Sequence, residues 1–221
     1  LNAWGKRSPR ILRFYNLCLI NNSGSQMAAN IPDLQHVFNL NVILNENNSY
    51  LRSYQAILQQ TTDKENLTFE DIIGLAHMIY GWMPTVLKLR FENVSQEEIV
   101  RIVNAARHRR LDSKEIDLLK IFVNNSLVGT SKLLHFVAPQ TYAIWDSKIY
   151  FFLFQKQSNH KTIGNIKTYF EYLSKLDDLE KHPKFMTFHE AVNQKLTYSV
   201  SAKRALEVMM FEHSKLKNKR F

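Results

Sequence analysis

From Met27 onward, apolar residues return every three or four positions, the spacing that lines one face of an α-helix. Ile99, Ile102, Val103 and Ala106 keep this period and follow Ser95-Gln96-Glu97-Glu98, whose Ser and Glu three residues apart have the pattern of a capping box. A helix is therefore predicted to start at Ser95. Thr68 with Asp71 predicts another, running towards Trp82 and stopped near Pro84. Asp112, Ser113 and Glu115 open a third, with Ile116, Leu119 and Val123 facing inward until Asn124-Asn125-Ser126 ends it. Farther on, Ile166, Tyr169, Phe170 and Leu173 share a face, and Ser201 precedes Ala202, Ala205, Leu206 and Met209 on another.

Strand signals are scarce. Residues 42–44 and 195–200 have extended character, but no hairpin turn follows either. Six glycines and five prolines are too few for a turn-rich β protein, so the fold class is all-α. No repeat of fixed period and no low-complexity tract appears, and the polar stretches 45–49 and 155–162 read as connectors. Residues 1–26 begin without a methionine and run through the basic GKRSPR and the loop-like NNSGSQ. They are set apart as an N-terminal extension of open origin, and 27–221 is taken as one helical domain.

Composition changes this picture in three ways. At 221 residues and 45% hydrophobic, the chain can bury a substantial core. A net charge of +9 and a pI near 9.6 point to a polyanionic partner, nucleic acid or an anionic membrane. The single Cys18 excludes an internal disulfide framework, a paired-cysteine zinc site and a four-cysteine iron–sulfur cluster, and suits a reducing, cytoplasmic setting. The longest apolar stretch, 11–20, is too short to span a bilayer and carries Arg13 and Asn16. No metal-ligand spacing accompanies His182 and His189, and neither a P-loop nor a dinucleotide-binding glycine pattern is present. No cofactor, no membrane and a monomeric state are expected.

Candidate chemistry gathers in residues 127–149, LVGTSKLLHFVAPQTYAIWDSKI. The helix over 113–125 is predicted to turn through Ser126-Leu127-Val128-Gly129 into a second helix from Thr130. Gly129 can take a left-handed backbone or admit a close neighbour, and the free amides of the next turn suit a phosphate. An ordinary helical turn closed by glycine is the plain alternative. Seventeen residues beyond Gly129 stands Asp146, at the mouth of a further helix.

Together these features resemble the helix-hairpin-helix DNA glycosylase superfamily. Its hairpin (L-P-G-V-G), apolar helix and V-D-T-H-V-like string find counterparts in LVG, SKLLHF and IWDSKI, within a hairpin unit 113–138 and a loop 139–150. Leu127 replaces the first hairpin glycine, the spacing to Asp146 is shorter, and the iron–sulfur cysteines are missing. The resemblance implies two helical lobes with a cleft between them, double-stranded DNA containing a modified base as partner, and Asp146 as the catalytic carboxylate. A carboxylate there would stabilise the cationic sugar formed as the glycosidic bond breaks. Its alternative role is that of a helix N-cap.

Some members of the family add a lysine nucleophile, at the position occupied here by Ser131. Lys132, one residue on, is the second choice, and a monofunctional, water-using enzyme is expected. The resemblance also assigns phosphate contacts to Val128, Gly129, Thr130, Ser131 and Lys132. A flipped base needs aromatic or apolar walls, for which Trp145, Tyr142, Tyr150, Tyr80, Trp82 and His135 are candidates, each with core packing as its alternative. Arg109, Arg110, Lys148, Lys203 and Arg204 would add charge along the DNA path. The divergent hairpin and missing cluster suggest a specialised substrate, such as the hypermodified cytosines of phage DNA removed in antiviral defence. A non-catalytic DNA-binding module, or an RNA-binding or protein-interaction domain, is the competing expectation.

Overall fold

The computed structural model describes residues 30–45, 47–83 and 85–218 of the chain. Expectations for residues 1–26, for Cys18 and for a stop at Pro84 lie outside the described residues. A 3₁₀ turn, Gln35–Asn39, precedes ten helices: α1 Ser49–Thr62, α2 Phe69–Trp82, α3 Gln96–Ala105, α4 Ser113–Phe122, α5 Leu127–Val137, α6 Ser147–Phe154, α7 His160–Ile163, α8 Ile166–Glu180, α9 Phe185–Leu196 and α10 Ala202–Asn218. The fold is all-α. Among the described residues no strand forms, only an isolated antiparallel bridge between Leu89 and Val123. Residues 42–44 make no strand, and 195–196 belong to the end of α9, which stops at Thr197 in the left-handed region. No helix of the described residues is long and apolar enough to cross a membrane.

Local capping explains where the helices start. Thr68 and Asp71 form a reciprocal capping box, as do Asp112 and Glu115, each satisfying two amides that the first helical turn leaves free. At α3 the box is only half made. Ser95 caps the Glu98 amide at 3.2 Å, but the Glu98 carboxylate turns to Arg101 at 2.9 Å instead of reaching back.

The turn between α4 and α5 departs from the expected hairpin. Asn124 and Asn125 carry the positive φ angles, 55° and 51°, which asparagine tolerates better than most residues. Asn124 also ties the turn to the loop after α2, donating to the Val86 carbonyl at 2.8 Å and accepting from the Lys88 amide. With the reversal made there, α5 begins at Leu127, three residues earlier than predicted. Gly129 sits inside its first turn with an ordinary φ. The glycine is needed for space: a Cβ would lie 2.1 Å from the Tyr80 hydroxyl.

Buried apolar residues from Ile31 to Met210 form one connected core. The start of the described chain meets its C-terminal part, with Ile31 donating to Glu171 (2.7 Å), Lys195 to the Val42 carbonyl (3.0 Å) and Tyr198 to the Leu51 carbonyl (2.7 Å). Helix α10 packs chiefly against α6, and its first half is buried on every side. That arrangement places three charged residues of α10, Lys203, Arg204 and Glu207, inside the protein.

Candidate functional site

Asp146 is the N-cap of α6. Its Oδ1 accepts from the Lys148 and Ile149 amides at 2.9 and 3.0 Å, so Oδ2 takes no part in the cap. The residue before it is fastened from two sides: the Trp145 indole donates to the Ile163 carbonyl at 2.8 Å, and its amide donates to Ser131 Oγ at 3.0 Å. Through Ser131, α5 fixes the loop that delivers Asp146.

The same loop is held by His135 and Tyr142. His135 Nδ1 lies 2.7 Å from the Tyr142 carbonyl, which can only accept, so Nδ1 carries the proton and Nε2 accepts from the Tyr54 hydroxyl at 2.8 Å. Burial, reinforced by the Arg204 charge, pushes the His135 pKa down to about 3. The Tyr142 hydroxyl accepts from the Leu111 amide (2.7 Å) and donates to the Arg109 carbonyl (3.2 Å), while burial raises its pKa to about 12. Trp145, Tyr142 and His135 thus support the loop from within the core. Tyr150 is also buried, its ring edge-on to Trp145 at 6.0 Å.

Lys132 is only 6% exposed, so it is not the surface phosphate contact expected of it. Its Nζ lies 2.7 Å from Met83 Sδ and 6.0 Å from the centre of the Trp82 ring. Burial lowers the basicity of this amine, opposed in part by the charges of Asp146 and Glu207. Ser131 instead donates to the Val128 carbonyl at 2.9 Å. Asp146, 8% exposed, lies close enough for its charge to act on Lys132 of α5.

Helix α10 brings two further charged side chains to this cluster. Arg204 Nη1 donates to Glu207 Oε2, and the guanidinium carbon stands 4.6 Å from the Tyr54 ring centre and 5.9 Å from that of Trp82. Tyr50 stacks on Trp82 with ring centres 3.8 Å apart and accepts the Trp82 indole proton on its carbonyl at 2.9 Å. Burial, with the Asp146 charge adding to it against the pull of Arg204, raises the Glu207 pKa to about 7. Among the described residues, Arg204 Nε and Nη2, Glu207 Oε1 and the Tyr172 hydroxyl are buried without a hydrogen-bond partner. A buried cluster of charged side chains among aromatic rings results, in which Lys132, Arg204 and Glu207 are shifted by their surroundings.

An open cleft of about 530 Å³ adjoins this site, lined by Tyr80, Met83, Ser126, Val128, Gly129 and Lys161 among others. Met83 belongs both to the cleft wall and to the contact with Lys132, so the amine lies one side chain behind the cleft. Of the expected phosphate contacts, Val128 and Gly129 face this cleft. The Gly129 amide, however, is spent on Ser126 Oγ at 3.1 Å, and Thr130 and Ser131 are fully buried.

The expected basic path is largely consumed by internal ion pairs. Arg109 makes two hydrogen bonds to Glu115 (2.8 and 2.6 Å), whose pKa they hold down at about 2. Arg110 and Lys203 both bind Asp177, at 2.9 and 2.6 Å. Lys203 and Arg204 are buried and so lie off any surface groove; Lys148 stays partly exposed beside Asp146.

Glu207, Tyr50 and Tyr172 escaped the sequence reading. The available signal was in 202–210, AKRALEVMM, where charges interrupt a segment otherwise apolar on all sides and Arg204 and Glu207 stand three apart. Among the described residues no group of three or more His, Cys, Asp or Glu side chains is placed to hold a metal ion. No family model matches the sequence, and neither a curated protein nor a solved structure matches it.

Proposed function

We propose that the protein is a DNA glycosylase that removes a modified base from double-stranded DNA, with Asp146 and Lys132 at the reacting sugar. One observation carries this reading: Asp146, the N-cap of α6, acts through its charge on Lys132, a buried lysine of lowered basicity that packs against Trp82 and stands one side chain behind a cleft. Breaking the C1′–N bond builds positive charge on the sugar, which the Asp146 carboxylate would offset in a site from which water is excluded. Lysine attack on C1′ requires the free amine, and desolvation favours that form of Lys132. This favours Lys132 as nucleophile over the water-using reaction expected from Ser131 at the family position.

In this reading the chain is two-lobed, with DNA lying across the cleft and the Met83 side chain moving aside as the base enters. A hypermodified cytosine of phage DNA is the substrate we would offer first. Reaction with a panel of duplexes carrying damaged and hypermodified bases, in the presence of borohydride, tests the reading. Wild type is expected to release a base and to be trapped covalently on the DNA, Lys132→Gln to lose the trapped species, and Asp146→Asn to lose release. Release with breaks that appear only after alkali, and no trapping, would return the nucleophile to water. Tight binding with no release from any duplex would leave a DNA-binding helical module.

A further inference from the structure

We propose, resting on the glycosylase reading, that Glu207 is the acid that protonates the departing base and that the free side of Arg204 reads its acceptor edge. The substrates would then be neutral bases that present two adjacent acceptors. The geometry of the pair is the starting point. Arg204 gives Nη1 to Glu207 Oε2, which leaves Nε and Nη2, the two donors along one edge of the guanidinium, buried beside the Tyr50 hydroxyl with none of the three in a well-formed hydrogen bond. That pair of parallel donors matches two neighbouring acceptors, as in cytosine-type O2/N3 or guanine-type O6/N7 edges. Adenine and thymine present a donor beside each acceptor, and half of the fork would be unmet.

Glu207 is bonded to Arg204 through Oε2, so in its protonated form the proton belongs on the unpartnered Oε1. The groups facing it are Arg204 on its own helix, Lys132 of α5, Asp146 at the start of α6, Tyr50 and Tyr54 of α1, and Tyr172 of α8. A carboxyl pushed up to about 7 and a second carboxylate bonded to backbone amides divide the work of acid and charge stabiliser between two side chains in one site. Around them, Trp82 and Tyr50 are stacked as an aromatic wall.

The step balances without any further reactant. The C1′–N bond breaks with its electron pair leaving on the base, and the Glu207 Oε1 proton passes to the base, for instance to the second lone pair of its carbonyl oxygen. Lys132 Nζ adds to C1′ beside Asp146. Glu207 is left as a carboxylate already bonded to Arg204. A base that departs as a neutral molecule after protonation needs such an acid, whereas an alkylated base that is already cationic does not.

Single-turnover base release should be followed from pH 5 to 9 for wild type, Glu207→Gln and Asp146→Asn, on duplexes with modified cytosine, a guanine modified at N2 and a modified thymine. Wild type is expected to release the cytosine- or guanine-type base, with a rate that falls about tenfold per pH unit above about 7. Glu207→Gln should be about 100-fold slower and should lack that fall. Release confined to the thymine derivative would overturn the role of Arg204. A wild-type rate without the falling limb, or Glu207→Gln with wild-type rate and limb, would overturn the role of Glu207 while Asp146→Asn still reports on the glycosylase. A wild type that releases nothing sinks the glycosylase reading and this inference together. Should Glu207→Gln lose its cooperative thermal transition, Glu207→Asp replaces it: a slower rate with a displaced limb supports the proposal, and an unchanged profile refutes it.

Discussion

At Gly129 the chain leaves no room for a methyl group, with the Tyr80 hydroxyl 2.1 Å and Val123 Cγ1 3.0 Å from where a Cβ would stand. Gly129→Ala is expected to destabilise the fold by about 2 kcal/mol in denaturant unfolding, as over-packed sites do, and Tyr80→Phe in the same chain should recover part of the loss. The pattern LVGT marks this glycine as special, but it cannot distinguish a left-handed backbone from a close neighbour, because the neighbour is Tyr80 on another helix. His135 poses the same problem. Its neutral form is secured by burial and by Arg204, so its ring signals in NMR should show no titration between pH 5 and 8. A His whose folded pKa is depressed favours the folded state above its unfolded value near 6.5, and that stability is lost as pH falls towards 3. Adjacent Ser131 and Lys132 show how far periodicity reaches: it places them about 100° apart around the helix without saying which direction holds the loop and which holds the site.

Among the elements, α4 is anchored at its start by Glu115, which caps the Asp112 amide at 3.1 Å and pairs with Arg109 and Arg101. Its carboxyl pKa is depressed to about 2, chiefly by Arg109, so its stabilising effect is complete above the unfolded value near 4.5 and is lost as pH falls from there towards 2. Glu115→Gln should cost about 1–2 kcal/mol at pH 7, discounted because Arg109 and Arg101 are half exposed, and the variant's midpoint should depend less on pH between 5 and 2. The turn that follows makes a separate prediction. Asn124→Ala removes a donor to Val86 and an acceptor for Lys88 and puts alanine in the left-handed region, so it should destabilise by about 1–2 kcal/mol, whereas Asn125→Gly should be neutral or mildly stabilising. Caps such as Thr68–Asp71 and Asp112–Glu115 were legible because their partners lie within one helical turn. At Ser95 the box is only half formed, because Arg101 competes for Glu98 from the next turn.

Across the whole molecule, the net charge of +9 is the excess left after every acidic residue is counted, and the cations expected to line one path are mostly not free to supply it. Arg109, Arg110 and Lys203 are bound to acidic partners, and Arg204 is sealed inside. If the proposed DNA glycosylase reading holds, DNA affinity should fall log-linearly with salt, and Arg109→Ala should lower the unfolding midpoint more than it alters that slope, which measurements of binding and melting on the same variant would separate. Helical class, most helix starts and the place of Asp146 at a helix N-cap follow from the sequence itself, since apolar period and capping act over a few residues. The identity of the groups around Asp146 was decided only by tertiary packing. Tyr50, Trp82, Lys132, Tyr172, Arg204 and Glu207 come from five helices, and burying α10 against α6 turns Arg204 and Glu207, with Lys203 beside them, from apparently solvent-seeking charges into interior ones. Their basicity and pairing depend on the water excluded by that packing, a property that no local pattern along the chain contains.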